Sequence, residues 1–434
     1  MAITDKNDGF DFSSLLSPYA TKNNICAFTK ALSENPISSL LLNKSKLNEE
    51  TLLNCYKDLR PNERDYILFR FDKEEEKLGK SLLHFGGGFY ILDPSSAAIS
   101  YYLAPLLKPN PLVIDLCAAP GGKSIALSLR REDAVIIAND ISYKRALEIT
   151  KNTDRLGLSS IYSLALDPVR LEVEPVFDLV ILDAPCSGSG MIRKDSKMKE
   201  DWSKEKVDRL LPIQDDLLEK AVSLTKEEGI IAYSTCSLSV EEDEERVAKI
   251  LKKHPELEMI EVNVSSDILK GRKNIGYHLV PGIYQGEGIY FCFLRKTKGS
   301  SYQAHEIKYK KKDDKSRLNV FSYKKNEYLL TRMYDEISKL PFIAPGIKIN
   351  DDTDHPKCPY DHAYSKVSES IPTLELETKE ALDYVQGNEI RTDSQNKDGL
   401  VILTYRGLRL GFGKKAGIRI KNYLPKGLRA NLLG

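Results

Sequence analysis

The sequence predicts an α/β protein built on a doubly wound, Rossmann-like open sheet over residues 85–296, with a helical region before it and a small β-rich module after it. Three observations carry this prediction. Short apolar runs rich in Val, Ile and Leu recur through that stretch, helical patterns separate most of them, and a glycine-rich turn follows the first run. Strands that alternate with helices imply a parallel sheet covered on both faces. Buried helix segments would also read as apolar runs, but these runs are short and β-branched.

Taken in order, residues 10–80 alternate helical patterns with turns. In LNEETLLNCYKDL, Asn48 is placed to cap a helix whose apolar face begins at Leu52. The glycines Gly86 to Gly88 predict a turn, Phe89 to Leu92 a short strand, and Asp93-Pro94 a cap with a first-turn proline. PLVIDLC (111–117), AVIIAN (134–139), SLAL (163–166), FDLVILD (177–183) and GIIAYS (229–234) are the strands of the sheet. Residues 297–325 read as a basic linker; 295–325 hold eleven Lys/Arg against three acidic residues. A charge run of that kind suits a solvated connector as well as a nucleic-acid contact. Residues 326–434 read as a β-rich module that follows phosphates, with eight basic and no acidic residues from Leu400 onward.

The 434 residues carry a net charge of +1, so a polyanion partner must be sought in local patches. MAITDKNDGF lacks a basic segment followed by an apolar one, and no apolar run approaches the ~20 residues that span a bilayer. A soluble, cytoplasmic monomer with no membrane contact is expected. Seven cysteines, none in a CxxC pair, argue against a disulfide framework and a zinc site.

The strand PLVIDLC runs into AAPGGKS, with a helix expected from about Gly122. A phosphate loop would need glycine where Cys117 stands, and the G-x-G-x-x-G fingerprint is absent, so NTP and dinucleotide sites are disfavoured. Asp115, Asp140, Asp167 and Asp183 all fall at or near strand ends. One such aspartate would be a cap; four suggest a crevice at the carboxyl edge of the sheet, with Asp140 where a ribose is gripped. DAPCSGSG (183–190) and STCS (234–237) place Cys186 and Cys236 at that same edge, in polar settings that apolar packing does not explain.

DLCAAPGGKS, ND followed by Arg145, DAPCSGSG and YSTCS, in that order and spacing, resemble the RNA cytosine-5 methyltransferases of the Sun type over residues 85–296. The terminal GFGKKAGIRIKNYLPKGLR is similar to the tail of bacterial members that modify small-subunit ribosomal RNA. The resemblance implies an S-adenosylmethionine-dependent methyltransferase sheet flanked by RNA-binding regions at 1–84 and 326–434. It implies that Cys236 attacks, that Cys186 assists release, and that Asp183 steadies the base. It assigns the cofactor to Cys117, Ala118, Ala119, Pro120, Gly121, Gly122, Lys123, Asp140, Arg145, Asp167 and Asp183. Leu92 stands where family members often carry glutamine. A DNA enzyme would attack with the Pro-Cys cysteine and need a following Glu-Asn-Val, which is absent; an amino-group methyltransferase would need D/N-P-P-Y/F. A non-catalytic RNA-binding or assembly factor on the same fold is the rival from another class.

Overall fold

The computed structural model describes residues 10–72, 77–194, 196–308, 319–349, 371–393 and 397–432. Most of the basic run KYKKKDDKSR, and Cys358, lie outside the described residues.

In the N-terminal region the helices Lys22–Ala31 and Glu49–Cys55 form as expected, and Asn48 caps the second by accepting from the Thr51 amide. The expectation of an α-rich region needs a correction. β1 (Ile37–Leu42), β2 (Arg60–Pro61), β3 (Leu68–Asp72) and β4 (Phe89–Leu92) form an antiparallel sheet in the order β2-β3-β1-β4. Leu40, Leu41 and Leu42 are all buried, so a helix-like apolar run is here a strand covered on both sides. Asp93 then caps the helix Pro94–Leu103 through the Ser95 and Ser96 amides.

The central sheet uses β5 (Leu112–Asp115), β6 (Val135–Asn139), β7 (Ile161–Leu164), β8 (Phe177–Asp183) and β9 (Thr225–Thr235) in parallel. β10 (Leu257–Met259), β11 (Leu269–Lys270), β12 (Tyr277–Leu279) and β13 (Ile289–Lys296) extend it in antiparallel sense. The order is β11-β12-β13-β9-β8-β5-β6-β7, with β10 also on β13. Chain order reverses at β5, between β6 and β8, and the crevice outside the carboxyl ends of such strands is where open sheets bind ligands. Side chains alternate in β8: Val180 and Leu182 join the core under the helices Lys204–Leu224 and Glu244–Lys253, while Leu179 and Ile181 face the helices Pro94–Leu103, Gly122–Ser128 and Tyr143–Leu156. The sheet is therefore a Rossmann-like layer covered on both faces, as the apolar runs predict.

The linker and module boundaries also need correction. β14 (Asn319–Tyr323), inside the segment read as linker, pairs with β15 (Asn326–Leu330), and β15 with β17 (Ile347–Ile349). Phe321, Leu330, Met333, Ile337 and Phe342 belong to the core of the central sheet. β16 (Ala344–Pro345) pairs with β7 and closes the outer edge of that sheet. The last module is thus shorter: β18 (Thr373–Glu375), β19 (Ile390–Arg391), β20 (Gly399–Tyr405), β21 (Leu408–Ala416) and β22 (Arg419–Asn422), in the order β18-β20-β21-β22-β19. Leu408 packs into the N-terminal core, and Leu82 and Phe85 into that of the last module. Among the described residues, no helix is long and apolar enough to cross a membrane.

Candidate active site

The glycine loop leaves β5 at Asp115 and enters the helix Gly122–Ser128. Gly121 has φ 108°, which an L side chain rarely adopts, and a Cβ there would meet Ile125 Cδ1 at 3.1 Å. The Ala118 amide donates to the Asn139 carbonyl at 2.7 Å. Arg145 Nη2 donates to the Ala119 carbonyl at 2.9 Å, and Asn152 Nδ2 to that of Pro120 at 3.1 Å. Arg145 also pairs with Asp140 at 3.2 Å, so it links the loop to the end of β6.

Beneath the loop, Asp115 Oδ2 accepts from Ser124 Oγ at 2.7 Å, while buried Oδ1 has no hydrogen-bond partner among the described residues. Burial pushes this carboxyl up to about 7, opposed by the Ser124 hydrogen bond. An unsatisfied buried acceptor at a strand end fits a ligand that brings a cationic donor. Burial, then the Asp115, Asp183 and Asp140 charges, raise the Cys117 thiol, so it stays protonated and is a lining group, not a nucleophile.

Asp140 is buried; its Oδ1 accepts from the Ser142 amide at 2.9 Å. Ile141, directly after it, is 66% exposed, and Val169 is 46% exposed two residues beyond Asp167. Both are exposed apolar side chains close to a strand-end carboxylate. Asp167 itself caps the turn Pro168–Arg170 through the Val169 amide and pairs with Arg170 at 3.4 Å. Leu92 Cδ1 lies 2.9 Å from where a Gly122 Cβ would stand, so this apolar side chain covers the helix start.

The catalytic candidates meet at the ends of β8 and β9, where Asp183 and Ser234 are register partners. Lys123 Nζ lies 2.6 Å from Asp183 Oδ2, and Ser234 Oγ donates to Oδ1 at 2.9 Å. Lys123 is thus directed at Asp183. Burial disfavours its charge, but the Asp183 and Asp115 carboxylates outweigh that and raise it, so it remains an ammonium. The Cys186 and Cys236 sulfurs are 2.9 Å apart, and the Cys236 amide donates to Cys186 Sγ at 3.2 Å. Hydrogen bonding to Cys236, then burial, then the Cys236, Glu242 and Asp183 charges hold the Cys186 thiol well above its ordinary value.

Some residues here escaped the sequence reading. Asn139 joins three strand ends: Nδ2 donates to the Leu116 and Leu166 carbonyls at 3.0 Å, and Oδ1 accepts from the Leu166 amide at 2.9 Å. Its position beside Asp140 was the available signal. Behind Cys236, the buried Asp243 accepts from Thr235 Oγ1 at 2.5 Å, and buried Glu244 accepts from His278 Nε2 at 2.9 Å. An acidic run does not announce buried carboxylates.

In the last module, Lys414 and Lys421 lie directly opposite each other on β21 and β22, both exposed. Like charges facing across strands are destabilising unless an anion lies over them. The expectation that the whole basic tail meets phosphates needs trimming: Lys415 is buried and directed at Asp398 at 3.3 Å.

Residues 101–295 match the family model for 16S rRNA methyltransferase RsmB/F, and residues 371–430 match that for the PUA domain of the methyltransferase RsmF. A ribosomal RNA small subunit methyltransferase F from Psychromonas ingrahamii is 29% identical over 396 residues, 82% of each chain. One from Aeromonas salmonicida is 27% identical over 404 residues, 84% of each chain. Among solved structures, a methyltransferase homolog from Pyrococcus horikoshii has TM-score 0.55 and 26% identity, over 66% of this chain and 96% of its own. NSun6 from Pyrococcus horikoshii, solved with SFG, has TM-score 0.58 and 18% identity over 67% of this chain and 99% of its own, a likeness of fold.

Proposed function

The methyltransferase core of this chain belongs to the RsmB/F family of 16S rRNA methyltransferases, and from that premise we propose that it methylates carbon 5 of a cytosine in small-subunit ribosomal RNA through a covalent Cys236 adduct. The observation that carries this reading is the 2.9 Å approach of the Cys186 and Cys236 sulfurs beside the Lys123–Asp183 pair. S-adenosylmethionine, when bound, supplies the methyl group; a structural neighbour was solved with SFG, an analogue of it. The loop Cys117–Gly122 and Asp115 would hold its amino-acid end, Asp140 the ribose, and Ile141 with Asp167 the surroundings of the adenine, while Lys123 is turned to Asp183 instead.

The chain's own groups then divide the work. The Cys236 thiolate adds to carbon 6 of the flipped cytosine, which makes carbon 5 nucleophilic. Asp183, fixed by Lys123 and Ser234, orients the base by accepting from its amino group, and the Lys123 ammonium beside it offsets the negative charge that thiolate addition develops on the ring. After methyl transfer, solvent water takes the carbon 5 proton, the electron pair left behind re-forms the carbon 5–carbon 6 double bond, and Cys236 leaves as a thiolate. Cys186, held as a thiol against Cys236, is placed to assist that departure. The Lys414–Lys421 face holds phosphates of the same RNA, ribosomal RNA or a small-subunit assembly intermediate in the cytoplasm.

The test is a denaturing gel with labelled RNA and cofactor. Cys236→Ser should abolish methyl transfer, because a serine hydroxyl is a far weaker nucleophile than a thiol at neutral pH. Cys186→Ser should still attack and accumulate a protein–RNA adduct that survives denaturation. An adduct with Cys236→Ser and none with Cys186→Ser would reverse the roles. Unchanged turnover in both variants would remove covalent catalysis altogether.

A further inference from the structure

The acidic run Glu241–Glu245 follows the Cys236 loop, and a run of that composition ordinarily faces water. Glu242, its second residue, has no exposed surface. Its Oε1 accepts from the Ser187 amide at 2.8 Å and from Gln214 Nε2 at 3.1 Å. Its Oε2 accepts from Ser187 Oγ at 2.5 Å and from Ser237 Oγ at 2.7 Å. All four partners are uncharged, so this carboxylate is held in the interior by hydrogen bonds alone. Burying such a group is costly unless it is fully satisfied, and its placement calls for a reason.

The partners supply one. Ser187 follows Cys186, and Ser237 follows Cys236. Gln214 Nε2 also donates to the carbonyl of Pro185, the residue before Cys186, at 2.9 Å. One carboxylate therefore grips both cysteine-bearing loops and, through Gln214, the helix Lys204–Leu224 behind them. Its own backbone is fixed as well, since Tyr233 Oη donates to the Glu242 carbonyl at 2.6 Å. Two further ties run between the loops directly: the Gly190 amide to the Cys236 carbonyl at 2.9 Å and the Leu238 amide to Ser189 Oγ at 2.9 Å. Glu242 is the charged member of this set.

We propose that Glu242 is a positioning residue that clamps the Cys186 loop to the Cys236 loop and so keeps the two sulfurs in register, with Cys186 as the proton-bearing partner. The proposal rests on the covalent reading above and deepens it. Glu242 acts through Ser187, Ser237 and Gln214. Its negative charge contributes to the same end by disfavouring a second anion at Cys186.

Substitution separates the clamp from the charge. In Glu242→Gln the amide oxygen can accept from the Ser187 amide and Gln214, while its NH2 donates to serine hydroxyls that turn to accept. Glu242→Leu removes both clamp and charge. Ser187→Ala combined with Ser237→Ala weakens the clamp and keeps the carboxylate, and it serves if Glu242→Leu does not fold. Iodoacetamide labelling mapped by mass spectrometry, across neutral to alkaline pH and without RNA, reads the two thiols separately. In the parent protein Cys236 should react ahead of Cys186. In Glu242→Leu, Cys186 should react at lower pH and the preference between the thiols should shrink, with Glu242→Gln between the two. With RNA and cofactor, Glu242→Leu and the double serine variant should lose about tenfold or more in kcat, the size expected of lost charge-assisted hydrogen bonds, and build up adduct. KM for RNA should hold.

Parent-like labelling and turnover in Glu242→Leu and in the double serine variant would overturn the proposal. If Cys186→Ser traps an adduct while labelling is unmoved by the Glu242 variants, the clamp alone is wrong. If labelling shifts as expected and no variant traps an adduct, the clamp stands and the covalent reading fails.

Discussion

Replacing Lys123 by methionine separates two roles that the glycine loop could give this residue. Its ammonium lies 2.6 Å from Asp183, with side-chain exposures of 10% and 37%, and Ser234 is the other donor to that carboxylate at 2.9 Å. Methionine keeps most of the buried stem, so packing changes little and the loss is one charge-assisted hydrogen bond. Such a bond is worth about 1.5–3 kcal/mol when buried, and the partial exposure of Asp183 places the folding cost nearer about 1–2 kcal/mol, a few degrees in Tm. The cost to chemistry is larger. Asp183 would face the base with only Ser234 to orient it, and loss of a preorganised group of this kind costs about 100-fold in kcat. Single-turnover tritium transfer measures that step, and calorimetry measures cofactor affinity, which should change little because Lys123 is directed at Asp183. A variant with parent kcat and cofactor affinity weakened tenfold or more would refute the reasoning and make Lys123 a cofactor ligand.

Asp140→Asn keeps the acceptor for the Ser142 amide but loses the charge, and calorimetry should show S-adenosylmethionine binding weakened by about tenfold or more; unchanged affinity removes the ribose assignment. Burial pushes Asp115 up to about 7, so the folded protein holds a proton that the unfolded chain loses near its ordinary carboxylate range. That contribution to stability is full below the ordinary range, is lost as pH rises toward about 7, and amounts to about 4 kcal/mol. Urea unfolding of Asp115→Asn without cofactor should therefore show a flatter pH dependence and a gain over the parent at neutral pH; parallel profiles would contradict it. Lys414→Glu with Lys421→Glu should weaken RNA binding and reduce the salt slope by about two, with cofactor affinity unchanged; a parent slope would move the phosphate contact elsewhere.

What could be read from the sequence was local. Asn48, Asp93-Pro94 and FDLVILD carry their structural meaning within a few residues, and each element forms where those residues place it. The four strand-end aspartates were legible for the same reason. The N-terminal sheet was not, because Leu40–Leu42 is apolar on both faces and lacks the alternation that marks a strand. Nor could spacing show that Lys123 meets Asp183, or that Glu242 meets Ser187, since those pairs depend on which strands are neighbours. Asp167 and Arg170 form a local pair that an isolated turn would also make, so position alone says little about its ligand.

The docking of Ala344 and Pro345 on β7 has a practical consequence. β7 would otherwise be the bare rim of a parallel sheet, with Ile161–Leu164 buried residues along it. Unpaired rims of that kind recruit other chains and aggregate. Pro345 suits a rim position because it has no amide to offer a further strand. Ala344 and Pro345 therefore seal the outer edge of the central sheet from beyond its last strand, which ends at Lys296. Protein cut after residue 296 would keep β5–β13 and both cysteines and is expected to expose that rim and to aggregate more, by light scattering, than protein cut after residue 349.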